Sequence, residues 1–202
     1  MNSGPTSERI YLALKRWVLE RRFRPGERLD PGRLADSLGS SVTPIRDALH
    51  MLTGEGLVET RTSEGYAIPH IDEPGLHDLY RWSAAILQLA ARTAAAAPRL
   101  SPHVPEVIAA PPQDRAAALF AAIAGRTDNA ECIRTVGGLN DRTAALRQVE
   151  AGLLDAIGDE LEMLEASFAA SDGASLVRLL GNYHRRRERA ASAILRALYR
   201  AP

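Results

Sequence analysis

The chain has 202 residues, 46% of them hydrophobic, enough for one large core or two small ones. Its 25 Lys and Arg balance 25 Asp and Glu, which excludes indiscriminate coating of nucleic acid but leaves room for a local basic face at a groove. One cysteine, Cys132, excludes an internal disulfide or a zinc-finger set, and no apolar run approaches the about 20 residues of a membrane span.

In chain order, "TSERIYLALKRWVLERRF" predicts a first helix capped by Thr6 or Ser7, with Ile10, Leu14, Trp17 and Val18 as its apolar stripe. "RPGERLD" reads as a turn leading to Leu29. "PGRLADSLG" predicts a short second helix with Leu34 and Leu38 inward and Gly39 at its C-terminal cap. "SVTPIRDALHMLTGEG" predicts the third, with Thr43 as cap, Pro44 at the first position, and Ile45, Leu49 and Leu52 inward. "LVETRT" and "YAIP" predict two short strands around a tip at Ser63 to Gly65. Three helices and a hairpin, with a tight turn between the second and third helices, make a winged helix-turn-helix.

Pro and Gly in "PHIDEPG" place a boundary within residues 69–75, giving domains 1–72 and 73–202. Beyond it the chain is rich in Ala, Leu and Arg, as in a helical bundle. Helices are expected over Gly75 to Ala97, Gln113 to Gly125, Asn129 to Gly137, Leu139 to Ala170 and Gly173 to Tyr199. The fourth of these could break near Gly152 or Gly158, and the proline-dense "PRLSPHVPEVIAAPP" is a loop. Cys132 reads as a half-buried helical thiol. The fold class expected is mainly α, a winged helix-turn-helix followed by an all-α bundle.

A winged helix sets its third helix in the major groove and sends the wing to a neighbouring groove or the backbone. Small hydrogen-bonding residues on the first turn suit that entry. Ser41, Thr43 and Pro44 lie there, and the helix N-terminal N–H groups can meet phosphate. Arg46 lies one turn in, opposite the apolar side, within reach of a guanine edge or a phosphate. Arg33 on the preceding helix could clamp the backbone, and Gly65 lets the wing approach closely. Each residue alone suits any capped, solvated helix; their joint placement points to double-stranded DNA.

The run "FRPGERLDPGRLADSLGSSVTPIRDALHMLTGEGLVETRTSEGYAI", about a quarter of the chain, resembles the DNA-binding domain of the GntR family of bacterial transcription regulators. The resemblance rests on Pro25, Gly26, Leu29, Leu34, Ala35, Leu38, Gly39, Ser41, Pro44, Arg46, Ala48, Leu49, Leu52 and "EGLV" at Glu55 to Val58, with Gly65 in the wing. It implies recognition-helix contacts from Ser41, Thr43 and Arg46. Val42 and Gly32 stand where the family often has charged residues. Losing such a contact, worth about 1–3 kcal/mol, weakens binding or shifts operator preference.

The second domain resembles the FCD subgroup, whose bundle binds a small effector, often through a divalent metal held by one Asp and three His. With Phe120 and Asn129 setting the register, those positions fall on Ala117, Ala121, Leu161 and His184, and the effector-clasping Arg and Glu fall near Ser83 and Leu87. One imidazole cannot hold the ion. The resemblance therefore implies a degenerate site: no metal, no cofactor, and a less polar pocket taking an apolar effector or nothing. "YHRRRERAASAILRALYR" reads as the solvated face of the last helix, with Ala191, Ile194, Leu195 and Leu198 inward and "DELEMLEA" as its acidic partner. No nucleophile–base pair, carboxylate pair or phosphate loop supports an enzyme. "MNSGPTSER" lacks the basic-then-apolar order of a signal peptide. The expectation is a soluble cytoplasmic homodimer on a palindromic operator, with an effector-sensing bundle or a purely structural one, and no membrane partner.

Overall fold

A computed structural model describes residues 4–61, 65–96 and 112–200. They divide into two compact units, Met1–Ile71 with Tyr199–Pro202, and Asp72–Leu198.

In the first unit, α1 (Gly4–Leu19) is followed by β1 (Arg28–Leu29), α2 (Pro31–Leu38), α3 (Val42–Gly54), β2 (Glu59–Arg61) and β3 (Gly65–Ala67). Because α1 already runs at Gly4, neither Thr6 nor Ser7 caps it. Ile10 and Leu14 are buried against Ile45, Leu49 and Leu52 of α3, while Trp17, Val18 and Leu38 pack on that core only half-buried. Tyr11 and Lys15 of α1 both bond the Glu55 carboxylate at 2.5 and 2.8 Å, which fixes the far end of α3. Local signals set α2. Asp30 accepts the Arg33 N–H at its start, Pro31 follows, and Gly39 at φ 58° ends it with its N–H on the Ala35 and Asp36 carbonyls.

Gly39 has open space where a Cβ would go, so a side chain there meets only the left-handed backbone. Gly39→Ala is expected to destabilise the unit by about 1–2 kcal/mol. Denaturant unfolding followed at Trp17 would register a lower midpoint with unchanged slope.

The expected hairpin is the edge of a three-stranded antiparallel sheet of order β1-β3-β2. Arg28 pairs with Ala67 and Leu29 with Tyr66, so the stretch expected as a turn supplies a third strand. Leu57 and Val58, ahead of β2, are buried in the core instead of forming strand.

The second unit runs α4 (Glu73–Ala96), α5 (Pro112–Gly125), α6 (Ala130–Glu150), α7 (Ile157–Ala169), α8 (Gly173–Arg189) and α9 (Ala191–Arg200) up to Leu198. The proline-dense stretch lies outside the described residues except Pro112, which opens α5. Its core gathers Leu87, Phe120, Ile123, Leu161, Leu164, Leu180 and Tyr183 from α4, α5, α7 and α8. Two boundaries differ from expectation. Gly137 and Gly138 do not end a helix: each costs only about 1 kcal/mol against Ala, and Val136 and Leu139 on either side are buried. The chain turns next over residues 151–156, at the break expected near Gly152, where Ala156 takes φ 50°. The last expected helix is two, parted at Ala190 (φ −93°, ψ 2°). No glycine or proline marks that break. Cys132 lies half-buried on α6.

Candidate nucleic-acid interface

Ser41 is the N-cap of α3, extended at φ −84°, ψ 164°, and its side chain makes no capping bond. Thr43 and Pro44 are therefore the second and third helical residues, not cap and first. Pro44 removes no helical bond there, because the first four N–H groups have no intrahelical acceptor. Ser41, Thr43 and Arg46 are exposed, Pro44 is half-buried, and Ile45 behind them is fully buried. Helical spacing thus sends the serine, the threonine and the guanidinium outward while Ile45, Leu49 and Leu52 anchor the inner face. Neither Arg33 nor Arg46, both exposed, makes an ion pair with a described residue, so Asp36 and Asp47 do not neutralise Arg46. Val42 is 39% exposed at the helix start.

Gly65 opens β3 with φ 79° and no atom near the place of a Cβ; the other tip residues, 62–64, lie outside the described set. Sequence reasoning missed a link between wing and helix. Tyr66 of β3 places its hydroxyl 2.8 Å from His50 Nε2, with the rings edge to face at 5.3 Å. His50 lies one turn beyond Arg46 on the same exposed side of α3, and that spacing was the available signal. Arg61 of β2 pairs with Glu59 at 2.7 Å.

These features have counterparts among known proteins. Residues 6–68 match the model of the bacterial regulatory proteins of the gntR family. The head is a GntR-family helix-turn-helix domain. In sequence, an HTH-type transcriptional regulator of Bacillus subtilis, YdhC, is 32% identical over 81 residues, 40% of this chain and 36% of that protein. The Nta operon transcriptional regulator of Aminobacter aminovorans is 42% identical over 72 residues, 36% of this chain and 34% of its own length. The chain thus matches about a third of the length of these relatives, both transcriptional regulators by name. At the level of fold alone, E. coli McbR/YncC superposes with a TM-score of 0.67 at 19% identity, covering 96% of this chain and 98% of that one. A putative GntR regulator from Rhodococcus sp. RHA1 gives 0.70 at 16% identity, covering 93% and 98%.

In the bundle, three of the four positions aligned with a metal site, Ala117, Ala121 and Leu161, carry no ligating side chain. The Ala117 carbonyl accepts from Asn140 Nδ2 at 2.9 Å, Ala121 is exposed, and Leu161 is buried in the apolar core. His184 is 2% exposed, with Nδ1 2.8 Å from the Leu180 carbonyl and Nε2 3.0 Å from Ser83 Oγ. The carbonyl can only accept, so Nδ1 carries the proton and Nε2 accepts from the serine. Both nitrogens are engaged, and the residues do not fit an ion. Burial holds the His184 pKa down at about 4. Ser83, aligned with an effector contact, serves this histidine.

The interior is also not merely apolar. Arg187, 1% exposed, bonds Glu150 at 2.8 Å and Glu160 at 2.9 Å, and its guanidinium carbon lies 3.3 Å from the Tyr183 ring centre. Tyr80 donates to Glu150 at 2.9 Å, and burial, reinforced by that carboxylate, pushes the phenol far above its ordinary range. This corrects the solvated reading of the basic run at Arg187, though the expected pairing with "DELEMLEA" holds through Glu160. Ala191, Ile194 and Leu198 point inward as expected, with Leu195 half-buried. A cleft lined by Ala91, Ile123, Phe168 and Leu176, with Arg126 stacked on Phe168, offers about 10 Å³, the space of one water. No helix among the described residues is long and apolar enough to cross a membrane.

Proposed function

We propose that the chain is a sequence-specific, cytoplasmic DNA-binding transcriptional regulator that sets two heads on the half-sites of a palindromic operator as a homodimer. The observation that carries this is the outward placement of Ser41, Thr43 and Arg46 on the first turns of α3, with both arginines of the helix-turn-helix free of ion pairs among the described residues. Arg46 reads a base edge, Ser41 and Thr43 meet phosphate, Arg33 clamps the backbone, and Gly65 brings the wing to the duplex.

Arg46→Ala is expected to lose about 1–3 kcal/mol of operator affinity and to relax base preference at one position of each half-site. Selection from random duplexes yields the operator, and titration at fixed salt compares the two proteins. Equal affinity for parent and variant would remove Arg46 from the recognition role.

The bundle, read as FCD-like, admits two roles. In one, a small apolar effector shifts it and alters head spacing; the apolar walls of the cleft support this. In the other the bundle only joins two copies. The second is favoured by the aligned positions themselves, since Leu161 is packed in the core, Ala121 faces solvent and both His184 nitrogens are bonded. Native mass spectrometry of freshly purified protein is expected to give twice the polypeptide mass with no added ligand. A retained small molecule that shifts operator affinity would restore the sensing role.

A further inference from the structure

The outward side of α4 carries an apolar stripe that no described residue of its own unit covers. Trp82 is 53% exposed and Leu89 55% exposed, and between them Ala85 is exposed too. The 3- and 4-residue steps from 82 to 85 to 89 keep all three on one line of the helix surface. Asp78 lies one turn before Trp82 and Arg92 one turn after Leu89; both are exposed, and neither forms an ion pair with a described residue. Arg81, on the flank, is already paired with Glu188 at 3.3 Å.

This pattern has an approximate mirror about Ala85 and Ile86. From one end it runs acid, large aromatic, small residue, large aliphatic, base. We infer that the stripe is the seam of a homodimer in which α4 lies antiparallel on α4 of a second copy. That arrangement sets Trp82 against Leu89 of the partner subunit and brings the two Ala85 positions together at the two-fold axis, where a small side chain allows the helices to approach. Asp78 then faces Arg92 of the partner subunit, twice by symmetry. The parallel alternative would set acid on acid and base on base, so the charges select the antiparallel one. At a rise of about 1.5 Å per residue, the two charges bracket a seam of roughly 20 Å. A tryptophan closed off from water near the centre of a contact is the usual energetic anchor of such a surface. The inference rests on the proposed homodimer and assigns it a surface.

Sedimentation equilibrium of the full chain tests it. Trp82→Glu and Leu89→Glu are each expected to weaken self-association at least 100-fold while far-ultraviolet circular dichroism stays that of the parent, since both side chains stand on the surface. Asp78→Arg and Arg92→Asp are each expected to weaken it about tenfold, and the double variant to return within about threefold of the parent. A merely local role for either charge would not give that recovery. A parent dimer that none of these substitutions disturbs would overturn the seam and leave the homodimer standing. A parent chain that is monomeric at micromolar concentration would overturn both, while operator binding by single heads would still be measurable.

Discussion

Glu150→Ala is expected to remove about 3–5 kcal/mol of stability, because it strips a buried guanidinium of its most buried counter-charge. Glu150 is 2% exposed and accepts from two groups, Arg187 Nε at 2.8 Å and the Tyr80 hydroxyl at 2.9 Å. With the carboxylate gone, Arg187 keeps Glu160, which lies nearer solvent, and the phenol has no acceptor. Arg187 Nη2 already has no hydrogen-bond partner among the described residues, so no spare acceptor stands by to compensate. A loss of that size is a large part of the roughly 5–15 kcal/mol that holds a domain folded.

The paired control separates charge from packing. Removing all the polar members together, as Tyr80→Phe, Glu150→Leu and Arg187→Met, is expected to fall within about 2 kcal/mol of the parent or to exceed it, since buried ion pairs seldom repay their desolvation. Glu160 keeps Arg186 at 3.6 Å in that variant. Denaturant unfolding by circular dichroism measures both. A Glu150→Ala protein within about 0.5 kcal/mol of the parent would mean that the network contributes nothing.

Acid is expected to weaken the second unit through His184. Unfolded, its imidazole takes a proton near the ordinary value of 6.5; folded, burial keeps it neutral to about pH 4. The unfolded chain therefore holds more protons in between. This contribution is complete above about pH 6.5 and is lost as the pH falls towards 4, by about 3 kcal/mol in all. Asp30 and Asp172, held below 3.8 by the backbone N–H groups of Arg33 and Ser175, act only in stronger acid. His184→Gln is expected to flatten the limb between pH 6.5 and 5. An unchanged slope in that variant would assign the proton uptake to another group.

The head was readable because its instructions are local. Asp30, Pro31 and Gly39 mark the limits of α2 within a few residues, and the spacing of Ile45, Leu49 and Leu52 fixes which side of α3 is buried. β1 was not readable. Two residues have no periodicity, and Leu29 becomes strand only by pairing with Tyr66, far along the chain. The same distance hid the bundle's polar interior. Arg187 and Glu150 are 37 residues apart, Tyr80 and Glu150 are 70, and His184 and Ser83 are 101. In a run of four arginines among the five residues 185–189, spacing alone does not say which one turns inward. The outward placement of Ser41 and Arg46 was legible because exposure follows from the helical period. His50 was passed over because its partner comes from the wing.

That partner gives the head a mechanical property. With His50 strapped to Tyr66, and Tyr66 seated in the middle strand of the sheet, the probe and the finger that we propose to enter neighbouring furrows of the double helix are linked like the jaws of a caliper set at one width. A duplex whose grooves are squeezed or opened by its own base steps must yield to that setting or be refused. Part of the discrimination among sites would then come from the stiffness of bases the protein never touches.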